Sequence, residues 1–255
     1  MPEPTKAETL SSADAEALAQ LSSADRLLIA RHWQGRSRAE AIAAVRFAGQ
    51  LEHVARLGTT SAVLELLSFA VGEEWRHVCA CAKMAAIYAQ REVQLPDAAS
   101  ERPPVRHDDG NIAIALQLLG TSCISEMIAA AWLQECLEAT TVTFVRGALR
   151  ELLKDDIRHA RIGWAHLAAR KVRGEDNERD LGPHVHEIFE SYAAPWLWGE
   201  DFPEEGYPSH GLPARATTRR VALATIRDLI LPNFEQVGLN PSPGYRWLEA
   251  AERGA

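Results

Sequence analysis

Two five-residue segments repeat one pattern: Glu73-Glu74-Trp75-Arg76-His77 and Asp155-Asp156-Ile157-Arg158-His159. Each is two acids, any residue, Arg and then His. On an α-helix, residues three apart share a face. Glu74 and His77 therefore point the same way, as do Asp156 and His159. A carboxylate oxygen and an imidazole nitrogen on one face are half of a metal site, and two such halves brought together make a dinuclear one. The doubling carries the argument. With 9 His and 35 acids in the chain, a single acid-x-x-His match arises easily by chance, whereas two copies of the full pattern on apolar stripes do not.

Long helices must carry these residues. The periodicity predicts a first helix over 38–57, closed by Gly58, with Thr59-Thr60-Ser61 opening the next. The second spans 61–92, with an inner stripe of Val63, Leu67, Ala70, Glu74, His77, Cys81, Met84 and Tyr88. Residues 93–111 contain Pro96, Pro103, Pro104 and Gly110, so they read as a long crossover. A third helix is predicted over 112–139, with a stripe through Leu116, Leu119, Cys123, Glu126, Ala130 and Leu133. Thr140-Thr141 makes a tight turn into a fourth, over 142–172, with Leu149, Leu152, Asp156, His159 and Gly163 inward. The result is an all-α arrangement of two helical hairpins joined by one long connection.

The two half-sites need further carboxylates. A residue as far before a hairpin turn as another lies after it should face that residue, because the rise per residue is equal. Glu126 precedes the second turn by about as much as Asp156 follows it, and it is the one charge between Asn111 and Glu135. A lone carboxylate in so apolar a run is costly to bury without a partner. In the first hairpin the preferred partner is Glu40, which shares a stripe with Ala44, Phe47, Leu51 and Val54; Glu52 is the alternative. The leading acids Glu73 and Asp155 are expected to accept the free N–H of a ligand imidazole on the facing helix, orienting the ring. Arg76 and Arg158 would offset their charge.

On Glu40, Glu74-x-x-His77, Glu126 and Asp156-x-x-His159, in that order, residues 38–172 resemble the ferritin-like di-iron carboxylate superfamily. The resemblance implies a ferritin-like four-helix bundle with two irons held by those six residues. Manganese or a mixed pair is an alternative, since the same donors serve both metals. It also implies O₂ as co-substrate, an external electron donor, and a homodimer through the outer faces of the first helices. Bridging is expected from Glu74 and either bridging or terminal binding from Asp156, which stands where the superfamily carries Glu. That arm is one methylene shorter, so the two halves are not expected to bind their metals identically. The segment DDIRHARIGWAHLAAR is similar to members that oxidise small molecules.

The rest of the chain bounds the function. An apolar share of 47% allows a sizeable core. A net charge of −8 argues against nucleic acid or an anionic membrane as partner. Cys79, Cys81, Cys123 and Cys136 lack zinc or disulfide spacing, no apolar run reads as a membrane span or leader, and a reducing cytoplasm is expected. The whole of 1–255 reads as a single domain: a helical extension over 1–37 that opens on a loose tail at 1–10 and has helix N-caps in the SSAD segments at 11–14 and 22–25, a four-helix core over 38–172, and a helical extension over 173–255. The last comprises a charged loop at 173–182, a helix over 183–197, a loop at 199–214 that reads as a lid, a helix over 216–231 ending near Pro232, and a short tail helix within 241–255. This extra sequence suggests a pocket. The expected function is an O₂-dependent oxidoreductase acting on a small organic molecule by hydroxylation, N-oxygenation or desaturation, with no catalytic residue assigned beyond the metal ligands. The alternatives are iron handling or peroxide detoxification, and a metal-free structural or partner-binding bundle. His166, Cys81, Tyr88, Trp75 and Trp164 are expected to pack rather than react.

Overall fold

The computed structural model describes residues 10–97, 104–199 and 202–254. The expected N-terminal tail falls outside them apart from Leu10, as do 98–103 of the crossover and 200–201 of the 199–214 loop. The described residues are helical and contain no strand; Tyr207 and Leu212 form one isolated bridge.

Helix α1 (Ser12–Ala19) is capped by Ser11, and α2 (Ser23–Leu57) by Ser22. In each SSAD segment the Ser hydroxyl accepts the N–H of the residue three ahead, Asp14 or Asp25, at 3.1 Å. Helix α2 starts at Ser23, not at residue 38 as the periodicity suggested. The chain passes Gly35 without a break, because nothing crowds that position and the cap at Ser22 already nucleates the rod. At its other end Gly58 takes φ 80°, and the Thr60 hydroxyl caps α3 (Ser61–Ala89) by accepting from the Val63 N–H. Gln90, in the left-handed region at φ 53°, ends α3.

Asp109 caps α4, which runs over Gly110–Ala139. Its centre, Leu119–Glu126, is π-helical, which the apolar periodicity did not reveal. Bonding from i to i+5 widens the turn, so residues four and five apart share a face. Helix α5 spans Thr143–Val172. The four long helices pack in a ring: α2 on α3, α3 on α5, α5 on α4, and α4 on α2. Contrary to the sequence expectation, α4 is long and apolar enough to cross a membrane, but 72% of that stretch is buried inside the protein, which is how a core helix behaves.

The C-terminal part departs most from expectation. The segment read as a charged loop contains α6 (Asn177–Leu181), pinned by buried Arg170, which donates to Asn177 and Asp180 at 2.9 and 2.7 Å. The helix expected over 183–197 is two pieces, α7 (Val185–Tyr192) and α8 (Ala194–Trp198), with Pro195 starting the second. The next does not end near Pro232. Helix α9 (Arg215–Thr225) passes through a π-helical turn, Ile226–Ile230, into α10 (Leu231–Gln236), so the proline enters where the bonding register has just shifted. Helix α11 (Ser242–Arg253) closes the chain.

These helices bury Phe189, Phe234, Trp247 and Leu248 against Leu119, Cys123 and Leu167 of the ring. Two glycines make that approach possible. A side chain at Gly120 would meet the Tyr192 ring at 2.2 Å, and one at Gly163 would meet Cys123 Sγ at 2.5 Å and the Leu118 carbonyl oxygen at 2.6 Å. Gly163 therefore serves close packing against the π-helical segment.

Candidate metal centre

Helices α3 and α5 lie side by side and present their two acid-acid-x-Arg-His segments to each other. Glu74, His77, Asp156 and His159 are each no more than 2% exposed, while Glu40 and Glu126 are 8% exposed. Glu74, Glu126, Asp156 and His159 form one group of close donor atoms; Glu40, Glu74 and His77 form another. The structure thus brings together all six residues picked out by spacing. It does not bring in Glu52, which lies on the outer face of α2 and takes a 2.6 Å hydrogen bond from Arg56, one helical turn away.

Each imidazole has two distinct ends. Nε2 of His77 lies 3.3 Å from Asp155 Oδ2, and Nε2 of His159 lies 2.9 Å from Glu73 Oε2. Each supporting acid therefore comes from the opposite helix. A carboxylate can only accept, so Nε2 carries a proton; in the neutral ring that a metal requires, the lone pair is then left on Nδ1, facing the interior. Arg158 donates to both Glu73 and Asp155, and Arg76 lies 3.6 Å from each. Two acids and two guanidiniums thus close a neutral outer lattice over the rings.

The inward atoms crowd one another without settling. His77 Nδ1 is 3.5 Å from Glu74 and 3.6 Å from Asp156. His159 Nδ1 is 2.8 Å from Glu74, 3.7 Å from Asp156 and 4.0 Å from Glu126. Both Nδ1 atoms, together with Glu74 Oε2 and Asp156 Oδ1, have no hydrogen-bond partner among the described residues. Buried polar atoms are almost always paired. Four orphans converging on one place, all of them lone-pair donors in oxygen and nitrogen, fit divalent cations. The charges agree: four buried carboxylates balance two divalent ions.

Proton affinities in the metal-free site show the same strain. Burial pushes Glu40 up to about 8 even with Arg36 beside it. Burial and the neighbouring Asp156, Glu74 and Glu40 push Glu126 well above the usual carboxylate range. Asp156 rises to about 6, by burial and the nearby Glu74. Burial works against Glu74 too, but the two imidazoles overrule it and hold it low, at about 2. Burial pulls His77 and His159 down, yet the carboxylates around them win and raise both, His77 to about 9. Without metal, the site holds protons where cations would go.

The surroundings contain features that the sequence reading missed. Arg36, one turn before Glu40, donates to it at 2.7 Å, and its guanidinium lies 4.9 Å from the centre of the Trp132 ring. An i, i+4 Arg–Glu pair was visible in the sequence, but most such pairs are solvated. The π-helical segment ends on Glu126 and also carries Thr121 and Ser125, which share a wall of a cavity of about 210 Å³. That cavity is bounded by Glu40, Glu126 and Asp156 on one side and by Ala39, Ala43 and Trp196 on another. His166, by contrast, is buried away from both donor groups with neither ring nitrogen bonded, and burial holds it down at about 4.

No family model, curated protein or solved structure matches the chain. Its functional reading therefore rests on the centre itself.

Proposed function

We propose that the protein is a non-haem di-iron oxidoreductase with a ferritin-like bundle of two hairpins and a crossover, using O₂ to oxidise a small organic molecule. The observation that carries this reading is the buried set of converging, unpartnered oxygen and nitrogen atoms with a cavity opening onto three of its carboxylates. Glu40, Glu74, Glu126, Asp156, His77 and His159 would hold the metals, with Glu74 and Asp156 placed between the two imidazoles. When bound, the irons supply the redox chemistry that no side chain here can.

The chain's own residues do the rest. Glu73 and Asp155 fix the tautomer and tilt of the rings by accepting at Nε2. Phe47, its ring centre 5.4 Å from that of His159, keeps water from that side. Arg36 holds the Glu40 carboxylate against α2. Ser125 offers a hydroxyl to whatever enters the cavity, while the Thr121 hydroxyl is already taken up by Gln50 at 3.3 Å.

The cavity favours an organic substrate over iron handling, because a storage site needs passage only for ions. Electrons would come from an external donor, and the four free cysteines suit a reducing cytoplasm. Manganese, alone or with iron, is the competing metal reading. The test is O₂ consumption by the iron-loaded, reduced protein across a panel of small organic molecules. The proposal expects uptake that at least one panel member accelerates and that His77→Ala and His159→Ala abolish. Uptake yielding only ferric mineral, indifferent to any organic molecule, would move the reading to iron handling.

A further inference from the structure

A second cavity, of about 450 Å³, lies outside the first and shares Arg36, Ala39 and Trp196 with it. One wall is the outward face of α2, where Arg31, Gly35 and Ala39 recur at helical spacing; the other carries Trp196, Phe202 and Leu212. Two aromatic rings, Trp196 and Phe202, stand on the second wall, with the buried Trp132 behind them. Trp196 and Phe202 stack with ring centres 6.0 Å apart, and Trp132 lies 6.2 Å from Trp196 and 6.0 Å from Phe202. Such faces favour a flat, apolar body.

The cations are placed unequally. Arg36, at the junction of the two cavities, already answers Glu40 and faces Trp132. Arg31, at the mouth, is exposed and makes no ion pair among the described residues. In a chain of net charge −8, a guanidinium at this cavity that makes no ion pair with any described residue offers a site for an anion, and its planar fork suits a carboxylate. From Arg31 to Glu40, α2 rises about 13 Å. The two cavities adjoin at Arg36, Ala39 and Trp196, and the small side chain of Ala39 lines both.

We infer that the two cavities together hold an elongated aromatic monocarboxylate, with its carboxylate on Arg31 and its far end before Glu40, Glu126 and Asp156. The identity of the far end as the reacting one rests on the proposed function; the binding itself does not need metal. Recognition and chemistry are then about two and a half helical turns apart along α2, from its exposed side to its buried side, and a neutral analogue loses the anchor while keeping the stacking.

The full chain, metal-loaded and metal-free, is titrated with trans-cinnamate, cinnamamide and biphenyl-4-carboxylate, read by tryptophan fluorescence and calorimetry. Cinnamate should bind both forms about tenfold more tightly than the amide. Arg31→Gln should weaken cinnamate about tenfold and leave the amide within about twofold. Ala39→Phe, which fills the passage, should weaken biphenyl-4-carboxylate more than cinnamate. Equal binding of acid and amide, no effect of Arg31→Gln, or no binding of either acid at millimolar concentration would overturn the inference. A His77→Ala/His159→Ala double variant separates the two ideas. Cinnamate binding by a protein that takes up no metal upholds the pocket whatever becomes of the oxidoreductase. Loss of cinnamate binding in that variant, with its fold intact by circular dichroism, would overturn the metal-independent anchor.

Discussion

The half of the centre around His159 gathers Glu74, Glu126 and Asp156, whereas the half around His77 gathers Glu40 and Glu74. Both descend from the same five-residue pattern, and both imidazoles are held by a carboxylate of the opposite helix. The difference comes from what lies beyond the motif. Glu126 reaches its half from a π-helical segment, while Glu40 reaches the other already bound to Arg36. Asp156, one methylene shorter than Glu74, leans on both rings at nearly equal distance, 3.6 and 3.7 Å. A repeated motif thus yields two unequal sites, with the stronger expected around His159.

The comparison can be broken most severely at the imidazoles. His159→Ala should empty its half and loosen the other through the shared Glu74, whereas His77→Ala should leave one metal per chain; metal analysis of both variants checks this, and equal losses would erase the asymmetry. Arg36→Met comes next. It leaves buried Glu40 without its partner; because Glu40 carries a proton at neutral pH in the metal-free chain, the cost is that of lost hydrogen bonds, about 1.5–3 kcal/mol. The metal-free variant should melt lower by that measure in denaturant titration, and metal should restore most of the loss. Glu73→Ala and Asp155→Ala should each weaken metal binding about 10–100-fold, with Glu73, the partner of His159, having the larger effect by competition with a chelator.

The gentlest probe is pH. Glu40 is raised in the folded, metal-free chain to about 8 and His77 to about 9. A group whose folded pKa is raised stabilises fully below its unfolded pKa and loses that stabilisation as pH climbs through the folded one. The metal-free protein should therefore lose stability between about pH 5 and 9. Glu74, held low at about 2, acts only in strong acid, where its contribution is lost as pH falls. Metal displaces the protons on Glu40, Glu126 and the imidazoles, so metal affinity should rise over the same range. Calorimetric melting with and without metal checks both slopes, and parallel slopes would contradict the overlap of proton and metal sites.

Much of the centre was legible because helix geometry converts spacing into position. Counting outward from the turn at Thr140 paired Glu126 with Asp156, and the stripe through Phe47 singled out Glu40. Glu52 occupies the same helix, but its face points to solvent. What escaped was whatever breaks the regular period. The π-helical segment of α4 left only indirect marks: Gly120, a run of Thr121, Ser122 and Ser125 in an otherwise apolar helix, and Gly163 opposite. The length of α2 was missed because the run after the cap at Ser22 and the periodic stripe from residue 38 read as separate pieces, whereas they form one helix through the exposed Gly35. Arg36 was visible only as one more i, i+4 partner for a glutamate, and the aromatic cleft was invisible, since it is built by residues some 160 positions apart in the chain.

The most direct test is metal stoichiometry on the folded chain, produced with iron supplied and analysed by mass spectrometry alongside the His77→Ala/His159→Ala double variant. The account predicts two metal ions per chain in the wild type and close to none in the double variant, with both proteins fully helical. A folded wild type without metal, or a double variant that keeps the wild-type content, would contradict it.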